Sequence, residues 1–138
     1  MPSYPESYLS EIVETQGKLF DFYASSFEKM DTEHFIRSYM KSQTRRYIDS
    51  AQPYVCTMDA QSLWDFFLKT DKFEHEPGTP LKGFLPDWIG EFYAYYQWYF
   101  NTTSSSIIDK IPIHYLEVAY SGLHDLDLDL AVKKVGKV

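Results

Sequence analysis

A single cysteine, Cys56, stands among the 138 residues, so no disulfide can form within the chain and a reducing, cytoplasmic setting is expected. Glycine is scarce too. The chain has 6, and none falls in a loop that could cradle phosphate, which argues against nucleotide-fold enzymes. No uninterrupted apolar stretch approaches the length that crosses a bilayer, and the opening MPSYPESYLS has neither a basic start nor an apolar run. Neither a membrane span nor a secretory leader is therefore expected. Positive charge is the minority, 13 Lys and Arg against 20 Asp and Glu for a net charge of -7, which disfavours nucleic acid and favours a basic partner.

What the chain has in abundance is aromatic residues: 12 Tyr, 10 Phe and 3 Trp, 18% of the total. Tyr and Trp bury a ring but need a partner for its polar tip, which places many of them at a core boundary or in an interface. The length suits one domain, residues 1–138, large enough to bury a core without metals or disulfides.

The densest aromatic stretch is FLPDWIGEFYAYYQWYF, Phe84 to Phe100. Trp88, Phe92, Tyr95 and Tyr99 step by helical spacing, and Ile89, Tyr93, Tyr96 and Phe100 follow one residue later. Only Asp87, Gly90, Glu91, Ala94 and Gln97 form a small or polar strip, so the spacing predicts a central helix over about 86–101. Before it, Leu9, Ile12, Val13, Gln16, Phe20, Tyr23 and Phe27 trace one face of a helix over 6–28, in which Gly17 is a weak point. Asp31 and Asp59 are candidate caps of helices starting near 32 and 60, while 42–50 either continues the former or stands alone. After a breaker-rich loop (73–86) and the aromatic helix come a turn at IIDKI that the serine and threonine hydroxyls of NTTSSS can cap, a helix over 113–121 with Gly122 at its exit, and one over 127–135. The fold class expected is all-α, a single domain of six or seven helices packed round the aromatic one.

Chemistry-bearing residues are dispersed. His114 and Glu117, one turn apart, with His124 beyond them, are the candidates for a metal, yet no cysteine pair or second spaced histidine pair completes a set, and no cofactor is expected. Asp125, Asp127 and Asp129 imitate the start of a calcium loop, but Leu130 and Gly136 stand where glycine and glutamate are needed, so capping is the expected role. Cys56 lacks a nucleophile elbow and reads as a buried thiol. Arg37, Lys41 and Arg45 step by four, with Arg46 adjacent, and would make a positive stripe if the helix ran through Ser42. On the loop, Glu74, His75 and Glu76 with Phe73, Phe84 and Leu85 beside them offer apolar anchors and an acidic rim for a basic protein; alternatively the rings tuck beneath the loop.

The order WIGEFYAYY at 88–96, SSSII at 104–108, Pro112 and AYSGLHDLD at 119–127 resembles a group of small uncharacterised bacterial proteins from gut-associated Firmicutes, encoded beside toxin-like genes. That resemblance implies an antitoxin-like or accessory role. The function expected is a non-enzymatic protein-binding module, with self-association open to it. The alternatives are a metal-dependent enzyme using His114, Glu117 and His124, and a nucleic-acid binder using Arg37, Lys41, Arg45 and Arg46.

Overall fold

A computed structural model describes residues 4–138. Nine helices follow one another among them: α1 (Glu6–Ser26), α2 (Thr32–Met40), α3 (Gln43–Asp49), α4 (Pro53–Cys56), α5 (Ala60–Thr70), α6 (Leu85–Phe100), α7 (Ser104–Lys110), α8 (Ile113–Leu123) and α9 (Leu128–Val135). The described residues contain no strand, only an isolated antiparallel bridge between Met30 and Pro77. The fold is all-α. The count exceeds six or seven because 42–50 forms a helix of its own and 53–56 adds a single turn.

Local chemistry sets these boundaries. Asp31 accepts from His34 N at 3.2 Å, Asp59 from Ser62 N at 2.8 Å and Thr103 Oγ1 from Ser106 N at 3.2 Å, each satisfying an amide that its helix leaves free. Ser42 separates α2 from α3. Its hydroxyl donates to Tyr39 O at 2.6 Å and accepts from Arg45 N at 3.0 Å, while its backbone is extended (ψ 162°). Asp71, just past α5, then accepts from Gln43 N and Thr44 N and covers the start of α3. Asn101 ends α6 in the left-handed region (φ 49°). Two sequence expectations fail here. Gly122 lies inside α8, which exits at His124, and Asp127 stands at the start of α9 without a capping hydrogen bond from its side chain.

The helix α6 packs along α1 and also meets α7, α8 and α9. Its small and polar strip is not left to solvent, since Gly90, Ala94 and Gln97 are buried. A methyl group on Gly90 would lie 2.5 Å from the carbonyl oxygen of Gln16, and one on Gly17 would lie 2.9 Å from the carbonyl oxygen of Asp87. Gly17 and Gly90 thus let the backbones of α1 and α6 approach where a side chain could not fit.

The remaining core is largely aromatic. Tyr23 stacks on Phe35 with centroids 4.2 Å apart, and Phe20, Trp64, Phe67 and Phe73 surround the pair edge-on or tilted. Polar tips find partners at its margin: Tyr93 OH donates to Ile111 O, Tyr96 OH to Gly136 O and Trp98 Nε1 to Tyr4 O. No helix among the described residues is long and apolar enough to cross a membrane.

Candidate functional site

The positive stripe does not form. Because Ser42 starts a new helix, the step of four is interrupted, and Arg45 turns into the protein with 1% of its surface exposed. There Nε donates to Ser104 Oγ at 2.7 Å and lies 3.3 Å from Asp49 Oδ1, while Ser104 donates from its amide and hydroxyl to the same carboxylate. Tyr39 beside it donates to Gln16 Oε1 at 2.6 Å. Burial opposes the charge on Arg45, but Asp49 and the phenols of Tyr39 and Tyr4 outweigh it and hold the guanidinium above its ordinary value. Burial likewise pushes the Tyr4 phenol up to about 12, against the pull of Arg45. The hydroxyl of Tyr4 and Nη2 of Arg45 are buried without a hydrogen-bond partner among the described residues. Of the other basic residues, Lys41 pairs with Asp109 at 2.8 Å, and Arg37 and Arg46 are exposed.

The loop after α5 is strapped to the core. Asp31 N donates to Glu76 O at 2.7 Å and Gly78 N to Lys29 O at 3.0 Å, on either side of the Met30–Pro77 bridge. His34 Nε2 donates to Glu74 O at 2.9 Å, and the Tyr23 hydroxyl and His75 Nδ1 share a hydrogen bond of 2.7 Å. Phe73 is half-buried, its ring packed against Phe35 and Phe67 at the edge of the aromatic core. Phe84 does the reverse and is 83% exposed. The side chains of Glu74 and Glu76 do face solvent, the latter 3.6 Å from His34 Nδ1.

His114, Glu117 and His124 do not converge. Ten residues of helix separate the two histidines by about 15 Å along the axis of α8. His124 closes that helix through Nδ1 on Tyr120 O at 2.7 Å and approaches Asp125 at 3.2 Å, while Glu117 faces Glu33 of α2. Burial and then the Glu33 carboxyl raise the pKa of Glu117. Among the described residues no group of three or more His, Cys, Asp or Glu is arranged to hold a metal ion. Cys56 is half-buried rather than fully enclosed, 3.7 Å from Ile48 O, and burial raises its thiol.

Carboxyls gather with apolar side chains in a groove of about 680 Å³ between α1 and α6, which Leu128 at the start of α9 also lines. Leu9 and Val13 of α1, Tyr95 of α6 and Leu128 of α9 supply apolar surface. Around them stand the carboxyls of Glu6, Glu14, Asp87 and Glu91 with one ammonium, Lys18, which is already bound to Glu14 at 2.8 Å. The glycine contact creates this crowding: with α1 and α6 so close, Asp87 Oδ1 and Glu91 Cγ both lie directly over Gly17. Burial, then the charges of Asp87 and Glu14, push Glu91 up to about 7. Asp87 is raised as well, by burial and then by Asp21 and Glu14. Sequence reasoning assigned Asp87 and Glu91 to a polar strip and saw no site.

No family model, no curated protein and no solved structure matches the chain.

Proposed function

We propose that this protein is a non-enzymatic binding module for a basic protein, and that the groove between α1 and α6 receives it. The observation that carries the reading is the groove itself, with apolar surface at Leu9, Val13, Tyr95 and Leu128 and an excess of carboxyls around it. Apolar contact supplies affinity, and the negative rim selects and steers a positively charged partner. In this reading the aromatic helix α6 is the organising helix of the fold, since it forms a wall of the groove and meets α7, α8 and α9 as well as α1. An antitoxin-like role is the form of protein binding that the likeness to proteins encoded beside toxin-like genes suggests. The earlier candidates fit less well: Arg45 is spent inside the protein, and Phe73 is half-buried against the core.

The test is a pull-down from the native host with three versions of the chain. Glu6→Lys/Glu14→Lys reverses exposed carboxyls of the groove, and Glu74→Lys/Glu76→Lys reverses the loop. The expected result is a basic protein retained by wild type and the loop variant and lost from the groove variant, with unchanged helical circular dichroism. Retention by the groove variant at full strength, or loss from the loop variant alone, would overturn the assignment.

A further inference from the structure

Building on the groove as the binding surface, we infer that its specific occupant is a lysine side chain of the partner protein, the alkyl stem lying on Leu9, Val13 and Leu128 and the ammonium entering between Glu14, Asp87 and Glu91. Three features converge on that chemistry. The apolar wall and the carboxyls share one cavity, so the occupant must be apolar along its length and positive at its tip, as an amphipathic side chain is. The carboxyls come from two helices and crowd one point: Asp87 and Glu91 sit over Gly17, and each feels the charge of Glu14. Such an arrangement suits an ammonium, with its three rotatable donors, better than the flat fork of a guanidinium, which seeks a single carboxylate edge-on. Finally, the one ammonium lining the groove, Lys18, is bound to Glu14 at 2.8 Å and draws only weakly on Asp87, while Glu91 forms no salt bridge within the described residues.

The protons of the site agree with this. On α1 the titratable groups facing the groove are Glu6, Glu14 and Lys18, with Asp21 near Asp87; on α6 they are Asp87, Glu91 and Tyr95; on α9 Asp129 lies near Tyr95 and 3.8 Å from Lys133. No histidine lines the groove. Glu91, raised to about 7 by burial and then by Asp87 and Glu14, is partly protonated at neutral pH, and an ammonium beside it would favour its ionised form. Lysine stays charged throughout that range.

The experiment uses the full chain and a capped heptapeptide with one central lysine flanked by leucines. Three matched probes accompany it: the same peptide with acetyl-lysine, the same peptide with arginine, and n-butylammonium alone. Binding is followed by calorimetry and by NMR of the Leu9, Val13 and Leu128 methyls at pH 6 and pH 8. The lysine peptide is expected to shift those methyls and to bind about tenfold more tightly than the acetyl-lysine peptide. It should bind more tightly at pH 8 than at pH 6, and Glu91→Gln should remove both preferences while leaving the fold intact. Glu14→Gln, at an exposed position, is expected to weaken the lysine peptide as well and guards against a packing effect special to Glu91. Equal binding of the acetyl-lysine or arginine peptide overturns the inference, as does n-butylammonium binding as tightly as the peptide, which would assign the groove to a small amine. If no peptide binds while the native partner is still lost from Glu6→Lys/Glu14→Lys, the lysine inference fails and the protein-binding reading stands. If no peptide binds and Glu6→Lys/Glu14→Lys also keeps the native partner, the groove reading itself falls.

Discussion

The alpha carbon of Gly90 faces the carbonyl oxygen of Gln16 so closely that a single methyl group would sit 2.5 Å from it. Alanine normally stabilises a helix by about 1 kcal/mol relative to glycine, but here the obstacle is backbone and cannot swing aside. Gly90→Ala is therefore expected to destabilise the protein by about 1–3 kcal/mol, the usual cost of overpacking. Gly122, also within a helix, has nothing within 4 Å of its missing methyl, so Gly122→Ala should gain up to about 1 kcal/mol. Urea midpoints for the two variants read the opposite signs directly, and a gain in Gly90→Ala would contradict the close crossing.

Trp88 and Phe92 lie on the buried ridges of α6, where Trp88 also meets Tyr120 edge-on at 5.4 Å. Truncating either to alanine should cost on the order of 3–5 kcal/mol, as for other buried aromatics. Denaturation midpoints left unmoved by both would remove α6 from the core.

Asp49 compensates the enclosed charge of Arg45. Removing only the acid, in Asp49→Ala, is expected to cost about 3–5 kcal/mol because the guanidinium remains buried and unpaired. Replacing both, as Arg45→Met with Asp49→Leu, should recover most of that loss. Thermal unfolding of the single and double variants checks it: a double variant no better than the single one would mean that the pair's value lies in its bonds to Ser104 rather than in charge balance.

Glu91 binds its proton more tightly folded than unfolded, with a pKa raised from 4.5 to about 7. Its contribution to stability is thus full below about pH 4.5 and is lost as pH rises through 7. Glu91→Gln should flatten that decline and make the protein more stable than wild type at pH 8, by about 1 kcal/mol once solvent screening of a half-exposed carboxyl is allowed for. The quantity to measure is the difference between the two stability profiles from pH 4.5 to 8, in which unrelated titrations cancel. A difference that does not vary with pH would place Glu91 in an ordinary aqueous setting.

The elements that were legible in the sequence are those governed by neighbours along the chain. Asp31, Asp59 and Thr103 act as caps within three residues of the amides they bind, and the ridges of α6 repeat within its own length. What was not legible depends on partners far away. Arg45 looked solvated because its spacing continued that of Arg37 and Lys41; only Ser104, 59 positions on, and the break at Ser42 bring it inside. Phe73 and Phe84 flank one loop and look alike, yet one packs half-buried against the core and the other is exposed, according to where α2 and α5 leave room. Glu91 and Asp87 read as the wet side of a helix, and only the docking of α1 at Gly17 turns them into the wall of a groove.

That docking has a consequence for synthesis in the cell. Gly17 leaves the ribosome well before Gly90, and at ordinary elongation speeds the wait is about 4 to 15 s. Throughout it the emerging α1 carries its apolar face without the helix α6 that it packs along. Although its secondary structure is local, the protein must assemble late, and its nascent chain offers an apolar helix to whatever waits at the exit tunnel, a factor that shields such surfaces or another copy of itself.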